Sequence, residues 1–450
     1  MSKSEILDRV KAHPSQKVKY AVADIDGVLR GKVVHVNKFL SSVESGAGFC
    51  DVVFGWDSSD SLYENGHVTG WHTGFPDGQT RVDLETFRQV PWEEDVPFFL
   101  GDFTNSKGEP LPICPRNLLR KISKQTSDMG YESIFAQEFE WFNFQETSES
   151  LHERGFHNPC PITKGMFGYS VLRSSQQNGF FSDLFDLLLK FDVPLEGLHT
   201  ETGPGVYEAA IIYTDVLEAA DRATLFKTAV KEIAHKHGIM PTFMAKWSDD
   251  YPGCGGHLHQ SLWRDAKNVF YDPDDENGMS EIMKSYIAGM LHCLPEILPM
   301  YAPTTNSFKR LVEGAWAPTT LTWGIDNRTV AVRALPGGKK STRIEMRVPA
   351  SDVNPYLAMS ASLASGMYGV KNNLKLKVSP TQGNGYENTG NGTMPTDLKD
   401  ATERMRRSEV ARDMFGDSFV DHFTMTREWE WKQAQKSVTD WELKRYFEII

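Results

Sequence analysis

Several short segments of the chain alternate apolar and polar positions, which is the pattern of half-buried β-strands. Residues 17–36 (KVKYAVADIDGVLRGKVVHV) predict two strands around a turn at Asp26 and Gly27, and residues 51–61 and 96–102 predict further strands. The three prolines of GEPLPICPRN, residues 108–117, predict a boundary. We therefore expect a small β-rich domain over 1–112 and a larger domain over 113–450.

The larger domain combines helical and strand patterns, so the fold class expected is α+β. Helices are predicted at 116–129, 226–238 and 280–298, and the charged tail from 396 is also helical in pattern. Residues 378–394 are rich in Gly, Asn and Thr and predict a loop or mobile flap.

Four segments place polar side chains at every second position, so these side chains share one face of a strand. In AQEFEWFNF, Glu138 and Glu140 point to one side, and in STRIEMRVP, Arg343, Glu345 and Arg347 do the same. Neighbouring carboxylates repel each other unless a cation lies beside them. A wet acidic surface and a structural ion-pair ladder are the simpler alternatives.

The other two segments add acids and histidines. In HTETGPGVYEAAI, Glu201 and Glu208 flank a Gly-Pro-Gly turn that brings both carboxylates toward one place. In GCGGHLHQSLW, His257, His259 and Ser261 share a strand face. An HxH pair does not make a zinc site by itself, and a hydrogen-bonded core histidine is the usual alternative.

The net charge of the chain and its distribution limit the kinds of molecule that the protein could bind. The net charge of −12 argues against nucleic acid, which requires a basic face. Within 301–350, however, eight Lys or Arg stand against three acidic residues. Clustered carboxylates with few imidazoles suit Mg²⁺ or Mn²⁺, and hard ions with Arg and Lys suit ATP and phosphoryl transfer. No P-loop motif is present, so a sheet face and metals would hold the nucleotide.

The remaining composition indicates the compartment. The five cysteines are dispersed, without CxxC spacing, which is typical of reduced thiols. No apolar run long enough for a membrane span and no secretory signal pattern is evident. We expect a cytoplasmic protein that does not act at a membrane.

Six motifs in this order resemble the glutamine synthetase family: QEFEWF, HTETGPGVYE, GCGGHLHQSL, NSFKRL, DNRTVAVR and KKSTRIEMR. The resemblance implies an N-terminal β-grasp domain and a catalytic domain with a curved antiparallel sheet backed by helices. It also implies a homo-oligomer, a dodecamer of two stacked hexameric rings, with each active site built between neighbouring subunits.

The resemblance further implies ATP as co-substrate and two or more Mg²⁺ or Mn²⁺ ions per active site. The ligands of the ion that contacts the nucleotide phosphates would be Glu138, His257 and Glu345. The ligands of the ion that activates the acceptor carboxylate would be Glu140, Glu201 and Glu208.

Other positions match substrate-binding residues of the family. Those near the base and ribose would be His259 and Ser261, and the phosphate-binding cations would be Arg333, Lys340 and Arg343. The glutamate-binding residues would be Gly253, Arg310 and Arg347, and Arg328 would stabilise the phosphoryl group in transfer.

The loop at 314–318 (GAWAP) departs from glutamine synthetase, whose loop carries a glutamate that helps to bind and deprotonate ammonium. Here the position is Trp316, and an indole favours apolar or aromatic carbon over a small cation. Members with this loop resemble the γ-glutamyl–amine ligases. Pro252 replaces the asparagine expected at the glutamate backbone, so recognition of the α-amino group is open.

In the N-terminal region, FGWDSSDSLY resembles the loop whose aspartate reaches the amine site of a neighbouring subunit. Asp57 is the best match for that base, and Asp60 is the rival. We expect an ATP-dependent ligase that joins glutamate to an organic amine. Glutamine synthesis from ammonia and a non-catalytic family member are the alternatives.

Overall fold

The structure is a computed structural model that describes residues 1–64 and 66–450. The N-terminal region forms two helices and five strands, in chain order α1 (Lys3–Ala12), β1 (Lys17–Ala23), β2 (Leu29–His35), α2 (Val36–Ser45), β3 (Ala47–Cys50), β4 (Asp77–Val90) and β5 (Val96–Thr104). The strands make one sheet in the order β2-β1-β5-β4-β3, in which β1 and β5 are parallel and the other neighbours antiparallel.

The first half of the remaining chain supplies the central strands and the long helix behind them. Its elements are α3 (Pro115–Asp128), β6 (Glu132–Phe144), α4 (Ser148–Glu153), α5 (Val171–Gln176), α6 (Asn178–Lys190), β7 (Leu195–Thr200), β8 (Val206–Ile211), β9 (Thr214–Asp215), α7 (Val216–Lys236), β10 (Met240–Thr242), β11 (Leu258–Arg264) and β12 (Lys267–Asn268).

The second half adds three strands to one side of this sheet and a group of helices. Its elements are α8 (Glu281–Ile297), α9 (Thr305–Phe308), β13 (Trp323–Ile325), β14 (Val332–Leu335), β15 (Arg343–Met346), α10 (Pro355–Lys371), α11 (Leu398–Arg407), α12 (Glu409–Phe415), α13 (Asp417–Lys436) and α14 (Asp440–Tyr446). No helix among the described residues is both long and apolar enough to cross a membrane.

The large sheet runs β13-β14-β15-β11-β6-β8-β7. Its neighbours along this path are antiparallel except β13 and β14, so the antiparallel sheet expected from the resemblance ends in one parallel pair. One face packs on helices: Phe139 of β6 stacks on Phe226 of α7 at 5.7 Å, and Tyr286 of α8 donates a hydrogen bond to Gln260 of β11. The other face is therefore free to carry polar side chains.

Buried polar contacts join the N-terminal region to the rest of the chain. Arg116 of α3 forms ion pairs with Asp102 of β5 at 2.9 Å and with Asp221 of α7 at 2.8 Å. Asn354 donates to the backbone oxygens of Asp24 and Ile25. These groups are withdrawn from water, so each needs the partner supplied by the other region.

Most predicted elements are confirmed, and two segments differ. The strand predicted at 51–61 is wrong: Asp51–Phe54 is a short 3-10 turn, and the carboxylate of Asp57 then accepts from the backbone N–H groups of Ser59 and Ser61. Side-chain capping of this kind stabilises a turn in place of a strand. The helix predicted at 226–238 begins ten residues earlier, where Asp215 caps its first turn.

Candidate active site

Strand register brings the predicted side chains onto one face of the large sheet. Glu140 of β6 lies directly opposite Glu208 of β8, and Glu345 of β15 lies opposite both His259 of β11 and Arg333 of β14. Side chains at opposite positions of neighbouring strands are close enough to interact. Polar residues from five strands therefore meet over the middle of the sheet.

The first group, here called the histidine–arginine cluster, consists of Glu138, His257, His259 and Glu345 with the neighbouring Arg333 and Arg347. A carboxylate oxygen of Glu138 lies 3.0 Å from Nε2 of His259 and the other 3.6 Å from Nδ1 of His257, which is also 3.5 Å from Glu345. Ligand atoms of Glu138, His259 and Glu345 all lie within 4.8 Å of one another. The structure thus groups His259 with the two acids, whereas the resemblance implied His257 as the histidine ligand.

Two arginines flank this cluster and fix its charge. Glu345 is almost fully buried and pairs with Arg333 at 2.8 Å and with Arg347 at 2.5 Å. Burial alone would raise the pKa of Glu345, but Arg347, His257 and His259 together outweigh it and lower the pKa to about 2. Burial, with the charge of Arg347, lowers the pKa of His257, which keeps its imidazole neutral as a metal ligand requires.

The second group, here called the acidic cluster, consists of Glu140, Glu201, Glu208 and the neighbouring His199. Nε2 of His199 lies 3.4 Å from Glu208, and Nδ1 lies 3.8 Å from Glu201. Ligand atoms of His199, Glu201 and Glu208 fall within 4.8 Å of one another. Glu140 accepts a hydrogen bond from the backbone N–H of Gly255 at 2.7 Å.

His199 is the one basic member of the acidic cluster, and among the described residues no arginine forms an ion pair with its carboxylates. Burial raises the pKa of both Glu140 and Glu208, and repulsion from Glu201 and Glu140, respectively, adds to the effect. Burial opposes protonation of His199, yet its bond to Glu208 raises the pKa of the imidazole to about 9. At neutral pH an imidazolium thus stands beside these acids. Such a carboxylate-rich set suits Mg²⁺ or Mn²⁺.

Two cavities meet at these clusters. The first, here the nucleotide cavity, measures about 520 Å³ and contains His259, Ser261, Lys340 and Arg343. The second, here the reaction cavity, measures about 460 Å³ and contains both clusters' acids together with Gly253, Arg310, Trp316, Arg328, Arg333 and Arg347. Glu138 and Glu208 line both cavities, so the two sets of carboxylates lie at their junction.

Arg310 is buried at the floor of the reaction cavity. Its guanidinium donates to the backbone oxygens of Val348 and Arg347 at 3.0 and 3.3 Å. A Cβ at Gly253 would lie 2.9 Å from Cγ of Arg310 and 2.5 Å from a backbone oxygen, so only glycine lets the arginine stem pack there. Glycine at position 253 therefore has a packing reason, and its contact with glutamate stays a prediction.

Trp316 lies on the loop that follows α9. Its side chain is 65% exposed, lines the reaction cavity beside Ala315, and its backbone adopts the left-handed conformation with φ of 56°. A large side chain in this conformation is uncommon and costs backbone energy. Trp316 therefore borders the cavity that contains the acidic cluster and Arg310.

Asp57 is not among the residues that this chain brings into either cavity. One carboxylate oxygen of Asp57 accepts from Ser59 and Ser61, and the other accepts from Nε1 of Trp429 at 2.9 Å. Asp60, its rival, pairs with Arg30 at 2.7 Å. A catalytic role for either acid requires a second copy of the chain and stays a prediction.

Two cavity residues were missed by the sequence reasoning. In the sequence HTE, His199 stands two residues before Glu201 at the end of β7. This alternation would have predicted that the two side chains share a strand face. Tyr169 lines the reaction cavity and stacks on His199 with ring centres 4.6 Å apart. It comes from an irregular loop, where neither period nor spacing marks a side chain as part of a site.

The sequence and the fold were compared with those of known proteins. The family model described as glutamine synthetase, catalytic domain, matches residues 112–446. A type-1 glutamine synthetase 2 of Dictyostelium discoideum is 54% identical over 99% of this chain and 86% of its own length. A glutamate–isopropylamine ligase of a Pseudomonas species is 38% identical, covering 99% of this chain and 98% of its own.

A solved complex of GmaS with ADP superimposes with a TM-score of 0.85 at 25% identity, covering 98% of this chain and 99% of the other. The amine ligase among these relatives supports the branch that Trp316 predicts. The chain therefore belongs to the glutamine synthetase family and is an ATP-dependent ligase that forms carbon–nitrogen bonds.

Proposed function

We propose that this enzyme joins the γ-carboxylate of glutamate to an organic amine through γ-glutamyl phosphate. The observation that carries the proposal is the position of Trp316, whose indole lines the same cavity as the acidic cluster, Arg310 and Arg347. An aromatic wall favours an alkyl or aryl amine, whereas a carboxylate there would favour ammonium.

ATP occupies the nucleotide cavity in this proposal, with His259 and Ser261 near the base and ribose. Lys340, Arg343 and Arg333 hold the phosphates, and Arg310 and Arg347 grip glutamate beside Gly253. Two divalent ions, held by Glu138, His257 and Glu345 and by Glu140, Glu201 and Glu208, would offset phosphate charge and polarise the acceptor carboxylate. The acids that line both cavities support this arrangement.

The first step transfers a phosphoryl group. A γ-carboxylate oxygen of glutamate attacks the γ-phosphorus of ATP, the bond to the bridging oxygen breaks, and ADP leaves. Arg328, which lines the reaction cavity, stabilises the charge that gathers on the transferring group. The product is an acyl phosphate, whose leaving group is far better than oxide.

The second step forms the amide. The amine nitrogen attacks the acyl carbon, the bond to phosphate breaks, and the nitrogen gives its extra proton to a base. An alkylammonium has a pKa near that of lysine, so it needs a base at neutral pH. We assign that base to Asp57 of a neighbouring subunit, and closure of the Trp316 loop would keep water from the acyl phosphate.

The proposed assembly is a homo-oligomer of stacked rings, which would let the loop at 54–63 reach a neighbour. We assign 1–112 to a β-grasp domain and 113–450 to the catalytic domain; the mixed five-stranded sheet with two helices supports the first assignment. The five unpaired cysteines support a cytoplasmic location.

Glutamine synthesis from ammonia is the second candidate. It is favoured by the 54% identity to a protein named as a glutamine synthetase. ADP release measured with glutamate and ammonia, ethylamine, putrescine, ethanolamine or aniline separates the two. We expect at least one organic amine to exceed ammonia in kcat/KM, and a clear preference for ammonia would overturn the proposal.

Trp316→Glu tests the loop directly. Restoring a carboxylate should raise the use of ammonia relative to amines by about ten-fold, an electrostatic gain of roughly 1.4 kcal/mol. Val312→Glu is the matched control, because it adds the same charge to the same exposed loop at a residue that does not line the reaction cavity. Equal effects of both variants, or none, would remove the assigned role of Trp316.

A further inference from the structure

Arg310, which we assign to glutamate binding, is held by two separate parts of the chain. Its backbone N–H donates a hydrogen bond to the carbonyl of Ser307 in α9 at 3.1 Å. Its guanidinium donates to the backbone oxygens of Val348 and Arg347, in the segment that follows β15. The orientation of the guanidinium therefore depends on how α9 is fixed against the segment 347–352.

One carboxylate joins α9 to that segment. Oδ2 of Asp352 accepts a hydrogen bond from Oγ of Ser307 at 2.7 Å and another from Oγ1 of Thr304 at 2.9 Å. Thr304 and Ser307 form the capping box of α9, in which each side chain accepts from the backbone N–H of the other residue. A helix of four residues has little stability of its own, so it relies on these bonds.

The carboxylate is an unfavourable choice if its only task is to cap a short helix. One oxygen of Asp352 takes both hydroxyl groups, while the other is buried and has no hydrogen-bond partner in the described part of the chain. A buried acceptor without a partner lowers stability. A role beyond stability is therefore indicated.

The charge of Asp352 also acts on Arg310. Burial lowers the pKa of the Arg310 guanidinium, the carboxylate of Glu140 opposes this shift most strongly, and that of Asp352 adds to the opposition. We assign Glu140 to a metal ion, whereas Asp352 lines neither the reaction cavity nor the nucleotide cavity. Asp352 is thus free to support the arginine from behind.

We propose that Asp352 is a positioning residue for Arg310: it fixes α9 to the segment 347–352 and so holds the guanidinium in the orientation that binds the acid substrate. The inference rests on the proposed glutamate-binding role of Arg310 and adds the residue that maintains it. Arg310 does not line the nucleotide cavity. Loss of Asp352 should therefore weaken glutamate binding and leave ATP binding unchanged.

The test measures KM for glutamate and KM for ATP from ADP release, with the amine that the parent uses best. Asp352→Ala removes both hydrogen bonds and should raise KM for glutamate by about ten-fold, while KM for ATP changes by less than about two-fold. Asp352→Asn keeps an acceptor oxygen for both hydroxyls and should limit the rise to about three-fold. An unchanged KM for glutamate in Asp352→Ala, or an equal rise in KM for ATP, would overturn the inference.

Ser307→Ala keeps the inference testable if Asp352→Ala does not fold. It removes one of the two hydrogen bonds to Asp352 with little change in volume and should raise KM for glutamate by about three-fold. No rise in this variant would contradict the role of the Asp352 bonds.

Asp221→Asn is the matched control for loss of a buried acid. Asp221 of α7 pairs with Arg116 and accepts from the hydroxyl of Tyr356, and it lines neither cavity. Its variant should be less stable than the parent, with an unchanged ratio of KM for glutamate to KM for ATP. If this ratio rose as much as in Asp352→Ala, the effect would be general loosening of the fold and the inference would be lost.

A double-mutant cycle tests whether Asp352 acts through Arg310. Arg310→Lys alone should raise KM for glutamate, and adding Asp352→Ala should raise it further by less than about two-fold, because effects that share one contact are not additive. A further ten-fold rise, by contrast, would show that Asp352 acts elsewhere. Absence of glutamate-dependent ADP release by the parent would overturn the proposed function and this inference with it. Glutamate use that the Asp352 variants leave unchanged would defeat this inference alone.

Discussion

The histidine–arginine cluster and the acidic cluster lie side by side on one sheet, yet the charge of their carboxylates is compensated to different extents. In the first, Arg333 and Arg347 compensate Glu345, and its pKa falls to about 2. In the second, burial and like charge raise the pKa of Glu140 and Glu208. In the first cluster two arginines compensate the acids, whereas in the second His199 is the one basic partner of three acids.

The difference shows how a site can be rigid and still depend on its ligand. Charges paired within the protein fix the geometry around Glu345 before substrate arrives. Charges left unpaired around Glu140 store repulsion that a bound divalent ion would relieve. Removing one acid from each cluster should therefore have opposite effects on stability.

The largest effect is expected from Glu345→Gln. It would leave Arg347 without its carboxylate partner inside the protein, at a cost of about 3–5 kcal/mol. Glu208→Gln instead removes one of two facing buried acids and should stabilise the metal-free protein by about 1 kcal/mol. Urea denaturation with EDTA present measures both, and both variants should lose about 100-fold or more in kcat/KM.

Glu132→Gln is the control for this pair, since it removes an exposed carboxylate from the same strand, β6. Its stability and activity should match those of the parent. If Glu208→Gln were as destabilising as Glu345→Gln, the contrast between the clusters would be lost.

A smaller effect is expected when metal is added. Mg²⁺ or Mn²⁺ at about 100 times its dissociation constant should stabilise the parent by roughly 2.7 kcal/mol, because the ion binds only the folded chain. Thermal unfolding with and without the ion should show this gain in the parent and in Glu132→Gln. Glu208→Gln should lose most of it; an undiminished gain there would place the stabilising ion outside the acidic cluster.

The smallest effect concerns pH and His199. Its raised pKa, about 9, means that an ion entering the acidic cluster must displace a proton at neutral pH. Metal affinity of the parent should therefore rise with pH up to about 9, and His199→Asn should flatten this rise by about ten-fold per pH unit, the slope that one displaced proton gives. Calorimetry in buffers of different ionisation enthalpy counts the protons; equal release by both proteins would contradict the prediction.

Much of the site was predictable because strands translate sequence spacing into geometry. Glu138 and Glu140, or Arg343 and Glu345, stand two residues apart, and a period of two guarantees a shared face. The motifs that resemble the family then related segments far apart in sequence. The strands at 17–36 and the helix at 280–298 followed from the same local patterns.

The parts that could not be predicted depend on contacts between distant loops. Tyr169 reaches the reaction cavity because its backbone N–H is held by the carbonyl of Thr200, which no local pattern encodes. The cleft lined by Trp316 and residues 325–329 and 380–383 exists because Asn327 donates hydrogen bonds to the backbone of the 380–383 loop. The strand predicted at 51–61 is absent for a local reason. The carboxylate of Asp57 accepts hydrogen bonds from nearby backbone N–H groups and stabilises a turn, although the segment contains an apolar run.

The left-handed backbone at Trp316 has a consequence for directed evolution of amine preference. Glycine and asparagine relieve strain at such a position whatever they do to the cavity. In a saturation library at this codon, variants with those two residues would be enriched because more of their protein folds. The other variants would be ranked by their activity with the chosen amine. Turnover should therefore be normalised to the amount of folded protein. Otherwise the library would rank variants by backbone strain in the loop and not by amine preference.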